Sequence, residues 1–252
     1  MARKKVLVTG MSGLIGGAVR RQLEGKYELS ALNRRLIPGV PCHQADITDL
    51  EAIQPAFEGK ETVVHLAAIV QGSAAWEGVL QHNLIGTYNV FEASRRAGVK
   101  RIVYASSGAT VSGWEHEMPY QALAEGRYDE APGSWEKLTH QTPPRPGGIY
   151  GCSKLWGEAL ARHFTDSSDL SILCLRIGAV HAEDRPVSAR DFSVWCSQRD
   201  IVQMIARCID APEGLRFDIF YVLSNNRWGY RDLEHARQVL GFVPQDAAED
   251  HR

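Results

Sequence analysis

The sequence predicts an α/β fold, a doubly wound and mostly parallel sheet carrying a small C-terminal subdomain. Three observations predict it. Short apolar runs rich in Val and Ile recur along the chain, helical stretches alternate with them, and the first run leads straight into glycines spaced three apart. Near-continuous apolar strands are those buried on both faces, and strands separated by helices pair in parallel through right-handed crossovers.

The first strand is read at Lys5 to Thr9, and Gly10-Met11-Ser12-Gly13-Leu14-Ile15-Gly16-Gly17 follows it. Gly10 and Gly13 permit a sharp turn and a close approach to a pyrophosphate, and Gly16 lets the next helix, Leu14 to Leu23, pack near the strand. The helix N-terminus adds free N–H groups and a partial positive charge. The spacing G-x-x-G-x-x-G is one residue longer than the G-x-G-x-x-G fingerprint of ordinary dehydrogenases, and glycine turns also occur in loops without ligands, so context has to decide.

Further strands are expected at Glu28 to Leu32, Thr62 to Leu66, Arg101 to Ala105, Ser171 to Leu175 and near Phe217 to Leu223. Helices are expected at Asp49 to Phe57, behind a Thr48-x-x-Glu51 capping box, and at Val79 to Ala97, Tyr150 to Phe164, Arg199 to Ile209 behind Ser197-x-x-Asp200, and Arg231 to Leu240. Residues 112–148 break the alternation with five prolines and with Trp114, Tyr120 and Trp135. A connection that long is functional or disordered, and its aromatic content favours a partly ordered lid. The expected organisation is therefore a dinucleotide-binding domain at 1–178, of Rossmann type and interrupted by the 112–148 insertion, and a small substrate-binding subdomain at 179–252.

Composition narrows the function classes. The 252 residues carry a net charge of −2, with 44% apolar and 23% charged residues, which gives no argument for nucleic acid or for an anionic membrane as partner. The apolar run after the basic N-terminus is only Val6-Leu7-Val8, too short for a signal segment or a membrane span. Five scattered cysteines without a C-x-x-C pair read as reduced thiols in a cytoplasm. His181 with Glu183 and Asp184 lacks a second histidine at ligand spacing, so no metal is expected. His65, inside an apolar strand, reads as a hydrogen-bonded core histidine. Trp114, Trp135 and Trp195 could cover a sugar face, although Trp195, just before a helix cap, could equally be core.

Chemistry gathers at two places. Tyr150 and Lys154 sit four apart at the start of a helix and so share one face. A phenol with a reference pKa of about 10 becomes an acid/base near neutrality when an ammonium stabilises its phenolate. Such a pair also arises on solvated helices, but here strand Arg101 to Ala105 ends in Ser106-Ser107 at the sheet edge where parallel strands deliver side chains to a ligand crevice.

Together, the glycine loop, the strand-end serines and Y-x-x-x-K resemble the short-chain dehydrogenase/reductase superfamily, and its extended, epimerase/dehydratase-like branch in particular. Asp46-Ile47-Thr48-Asp49 after the third strand, His65-Leu66-Ala67-Ala68 at the fourth and Asn83-Leu84-Ile85-Gly86-Thr87-Tyr88-Asn89-Val90 in the next helix extend the resemblance. It implies a nicotinamide dinucleotide held by Gly10, Ser12, Gly13, Leu14 and Ile15 at the pyrophosphate. Asp46 and Ile47 would meet the adenine, with Leu66, Ala67, Ala68 and Asn83 along the ribose side. It further implies that Tyr150 is the acid/base, that Lys154 holds the nicotinamide ribose and lowers the tyrosine pKa, and that Ser107 donates to the substrate oxygen. Counting back from Val111-Ser112-Gly113 would pick Gly108 in place of Ser107.

At the end of the second strand, where NAD enzymes of this fold place an acid on the ribose 2′-hydroxyl, the chain has Asn33-Arg34-Arg35. Two guanidiniums suit a 2′-phosphate, or they are solvated surface arginines; the reading favours NADP and leaves NAD open. Tyr150 to Glu158, Leu175-Arg176-Ile177-Gly178 and Ser193 to Asp200 are similar to uronate dehydrogenases, which oxidise C1 of a hexuronic acid. That likeness implies that Arg176 grips the sugar carboxylate, unless it is tied up in a salt bridge. It also puts Gly108-Ala109 at the sugar, where those enzymes carry Asn-His. The expected activity is NAD(P)-dependent oxidation of a sugar or sugar acid by a homodimer. A sugar epimerase or carbonyl reductase with the same Ser/Tyr/Lys site is the enzymatic alternative, and a dinucleotide-sensing scaffold the non-enzymatic one.

Overall fold

The alternating runs resolve into seven strands, all parallel, in a computed structural model that describes residues 3–70 and 76–251. In chain order the elements are β1 (Lys5–Thr9), α1 (Leu14–Leu23), β2 (Glu28–Asn33), β3 (Cys42–Gln44), α2 (Leu50–Ile53) and β4 (Thr62–His65). Next come α3 (Trp76–Gly78), a π-helical stretch (Val79–Ile85), α4 (Gly86–Arg96) and β5 (Arg101–Ser107). After the insertion, which holds α5 (Tyr120–Glu125), follow α6 (Ile149–Ser167), β6 (Ser171–Ile177), α7 (Asp191–Val194), α8 (Gln198–Ile209), β7 (Phe217–Val222) and α9 (Glu234–Leu240).

The sheet order is β3-β2-β1-β4-β5-β6-β7, so the winding reverses between β1 and β4 and opens a crevice at their carboxyl ends. Strand alternation sorts the two faces. Val103, Ala105, Leu173, Leu175 and Ile177 pack toward α1 and α8, whereas Ile102, Tyr104, Ile172 and Cys174 pack toward α4 and α6. On the second face Phe91 meets Tyr104 and Phe164 edge-on at 5.6 and 5.8 Å, pairs that contribute about 0.5–1.5 kcal/mol each beyond simple burial. From the segment expected as the C-terminal subdomain, β7 pairs with β6 and α8 covers the same sheet.

Several elements differ from the sequence reading. The short strand β3 is Cys-His-Gln, too brief and too polar to show an apolar period. Asp49, not Thr48, caps α2 by accepting the Ala52 N–H, while Ser197 caps α8 on Asp200 as the motif predicts. The last helix starts at Glu234, because residues before it are held extended: the Tyr230 carbonyl accepts the Leu138 N–H at 2.7 Å, and Leu138 pairs with Arg231. The insertion packs onto the body of the protein at several points. Val111, Tyr120, Leu123 and Leu138 form an apolar cluster with Val194, Tyr221, Leu223 and Tyr230, and Tyr128 stacks on Trp228 at 4.0 Å.

Candidate active site

The cleft over the switch point begins at the glycine loop. Gly10 has a φ of +71°, and a Cβ there would lie 2.8 Å from the Ala67 nitrogen, so only glycine lets the loop touch the chain leaving β4. No side chain caps α1, which leaves its first N–H groups facing the cavity wall formed by Gly13, Leu14 and Ile15. Thr9 accepts the Ala67 N–H at 3.2 Å and pairs with His65 at 2.7 Å, while the other His65 nitrogen meets Thr87. Burial pushes His65 down to about 3, so it is a neutral core histidine that braces the cleft floor.

One end of the cleft is lined by Ser12, Asn33, Arg34, Arg35, Asp46, Ile47, Leu66, Ala67 and Ala68. Asn33 is buried and turned inward, accepting from Ser12 and donating to the Arg35 carbonyl at 2.9 Å, which leaves the two exposed arginines as the charged rim. Burial opposes ionisation of Asp46, yet the Thr48 N–H and the nearby His82 and Arg34 hold its carboxyl below the usual range. Asn83 does not line this cleft. Its amide is engaged by both backbone groups of Ile69 and by Ser153, so it fixes the loop behind β4.

The other end holds Ser107, Tyr150 and Lys154 against Leu14, Ile15 and Gly178. Gly151 explains the approach of α6: a Cβ there would run into the Ala109 carbonyl, so glycine lets the helix start drop onto the turn after β5. Ser107 accepts the Ala109 N–H at 3.1 Å and shares the cavity wall with the Tyr150 phenol. Ser106, one residue earlier, instead donates to buried Glu158 at 2.6 Å, so it is a satisfied strand-end hydroxyl.

The electrostatics correct one expectation. Lys154 was expected to lower the tyrosine pKa, but burial pushes the Tyr150 phenol above its ordinary value and Ser107 is the influence that pulls it down. Lys154 is itself pulled to about 7 by burial, opposed by Glu158, and its Nζ rests 5.1 Å from the Tyr104 ring centre and 5.6 Å from that of Tyr150.

Arg176 corrects another. Its guanidinium is 3% exposed and doubly bonded to Glu158 at 2.9 and 2.8 Å, with Tyr221 beside it. Strand parity is the reason: Arg176 is in register with Ser106 and points with it toward α6, while the next pair, Ser107 and Ile177, borders the cavity.

A second cavity of about 650 Å³ opens from Ser107 and Tyr150 and extends under the insertion. Gly108 and Ala109 line it, as the resemblance implies, together with Ser112, Glu115, His181, Arg190 and Arg231. Arg190, Arg231 and Glu115 escaped the sequence reading because they are far apart in the chain and carry no motif. Trp114 and Trp135 are turned away, their indole N–H groups donating to the carbonyls of Pro143 and Gly229, and Trp195 is core.

Known proteins resemble this arrangement along the whole chain. A model of the NAD dependent epimerase/dehydratase family matches residues 6–211. The NAD-dependent glucose-6-phosphate dehydrogenase of Haloferax volcanii is 31% identical over 96% of this chain and 93% of its own length. The L-arabinose 1-dehydrogenase (NAD(P)(+)) of the same organism is also 31% identical, over 96% of each chain. In three dimensions the crystal structure of uronate dehydrogenase from Agrobacterium tumefaciens superposes with a TM-score of 0.83 at 34% identity, covering 100% of this chain and 88% of that one.

Proposed function

The chain belongs to the NAD dependent epimerase/dehydratase family, and from that premise we propose that it is a nicotinamide-dependent dehydrogenase of a sugar or sugar acid. One observation carries the reading: Ser107 and Tyr150 border both the cleft that begins at the glycine loop and the cavity under the insertion. A proton-transfer pair at the junction of a glycine-lined cleft and a pocket with room for a sugar is what oxidation of a hydroxyl requires. The relatives named above act, by their names, on a phosphorylated sugar, a neutral sugar and a sugar acid.

The cleft suits a dinucleotide, since its glycines hold the loop tight against the chain leaving β4 and against the start of α1, and α1 begins without a side-chain cap, so its first N–H groups are free for a pyrophosphate. Gly10, Ser12, Gly13, Leu14 and Ile15 would hold the pyrophosphate, Asp46 and Ile47 the adenine, and Leu66, Ala67 and Ala68 the ribose side. When bound, the nicotinamide accepts or returns the hydride. Tyr150 takes the hydroxyl proton of the substrate in the oxidative direction and gives it back in the reverse. Ser107 orients the same oxygen and draws the Tyr150 pKa down, and Lys154 would hold the nicotinamide ribose. NAD or NADP serves, and Arg34 and Arg35 in place of an acid at the end of β2 favour NADP.

We further propose a homodimer through α4 and α6, where Tyr88 leaves apolar surface exposed, and a cytoplasmic site of action suited to five free thiols. No helix among the described residues is long and apolar enough to cross a membrane. A screen of NAD and NADP against aldoses, uronic acids and small carbonyls, read by reduced-nicotinamide absorbance, tests the proposal. Steady reduction with a sugar supports it. Turnover of a sugar with no net absorbance change points to epimerisation instead.

A further inference from the structure

The cavity under the insertion contains two guanidiniums, Arg190 and Arg231, a pair suited to clamping an anionic substrate. An internal carboxylate already occupies them. Arg190 Nε donates to Glu115 Oε2 at 2.6 Å and its Nη2 to Oε1 at 2.7 Å, a bidentate fork. Arg231 Nη2 donates to the same Oε1 at 3.3 Å and to the Gly108 carbonyl at 3.2 Å, and the Tyr230 hydroxyl donates to Oε1 at 2.5 Å. Three donors from two separate stretches of chain, Arg190 and the neighbours Tyr230 and Arg231, thus converge on one carboxyl group.

Glu115 takes up part of this positive charge, while Arg190 itself stays 39% exposed. Two arginines and one glutamate sum to one formal positive charge, but Arg231 carries it at 1% exposure, packed over Gly108 where even a Cβ would collide with its guanidinium. Two histidines also line this wall: His181 faces Asp191, with Nε2 3.1 Å from Oδ2 though out of hydrogen-bond alignment, and His116 sits exposed beside Glu115. Burial opposes ionisation of Glu115, yet Arg190 and Arg231 hold its carboxyl below the usual range, so it is anionic across the neutral region.

We propose that this site takes an uncharged sugar and that Glu115 is the residue that sets the preference; the proposal rests on the dehydrogenase reading above. Glu115 Oε2 receives only the Arg190 Nε bond, which leaves acceptor capacity on a side chain that is 12% exposed at the cavity wall. A sugar hydroxyl has a proton to donate there. A carboxylate or phosphate has none, meets a like charge, and must displace a carboxylate that is tethered beside its arginines and therefore competes at high effective concentration.

The test compares kcat/KM of the full-length protein, with its preferred nucleotide, for neutral aldoses such as glucose, galactose and arabinose against glucuronate, galacturonate and glucose-6-phosphate. The native protein is expected to favour the neutral sugars by about tenfold or more, and Glu115→Gln to shrink that ratio by about tenfold. Glu115→Gln keeps the shape and two hydrogen-bonding atoms, and a melting profile establishes that it folds. Native preference for an acid or a phosphate overturns the proposal without reference to any variant, as does an unchanged ratio in folded Glu115→Gln. Reduction of nicotinamide by none of these sugars defeats the dehydrogenase reading itself, and the proposal with it.

Discussion

Lys154 holds its ammonium 5.6 Å from the centre of the Tyr150 ring, one helical turn further along α6 and fully within the protein. Burial draws that ammonium to about 7, far below an exposed lysine, while it also raises the phenol. The two groups that carry the proposed acid/base chemistry are therefore both biased toward their neutral forms.

A stability consequence follows from the sign of the Lys154 shift. A lysine whose folded pKa lies below its unfolded value penalises the folded state at every pH below about 7, and the penalty fades as pH rises from there toward about 10.5. Replacing Lys154 with Met should raise the melting temperature at about pH 6, and the gain should shrink steadily by about pH 10. A gain that is constant across this range would contradict the buried-ammonium account.

For catalysis the raised Tyr150 phenol sets the direction. Oxidation needs the phenolate, so kcat/KM for sugar oxidation should climb from neutrality into the alkaline range, whereas reduction should fall. A flat oxidative profile would argue against Tyr150 as the base.

Arg176 and Glu158 form a buried pair whose loss strands a charge, at a cost of about 3–5 kcal/mol. Arg176→Ala should therefore lower the melting temperature by several degrees while any folded fraction keeps its KM for substrate. A folded variant with a strongly raised KM and unchanged melting would restore Arg176 to the substrate site.

The rim at Arg34 and Arg35 makes a cofactor prediction. Arg34→Ala with Arg35→Ala should raise KM for NADP by about tenfold or more and leave that for NAD within about twofold, measured with one saturating sugar. Equal effects on both nucleotides would mean that the arginines do not read the 2′-phosphate.

Much of this was legible in the chain, for reasons that can be named. The sheet announces itself because strands buried on both faces, such as Ser171–Ile177, are near-continuous apolar runs, and the nucleotide cleft does so because close backbone approach demands glycine at fixed spacing. Ser107 was chosen over Ser106 from its place at the strand end, and parity supplies the reason that Ser106 turns to Glu158 and Arg176 away from the cavity. Asn83 carries the family pattern yet acts through Ile69, which no motif reveals. Glu115, Arg190 and Arg231 were hidden because an ion cluster assembled across an insertion and the extended stretch before α9 leaves no periodicity and no local spacing to read.

Turnover by Tyr150→Phe tests the central claim most directly, because the substitution removes one hydroxyl from the junction of cleft and cavity. With a sugar that the native protein oxidises, the variant should lose about a hundredfold or more in kcat. Its binding of the nucleotide, followed by fluorescence, should stay within a few-fold of native. Native-like kcat in a folded Tyr150→Phe would contradict the account.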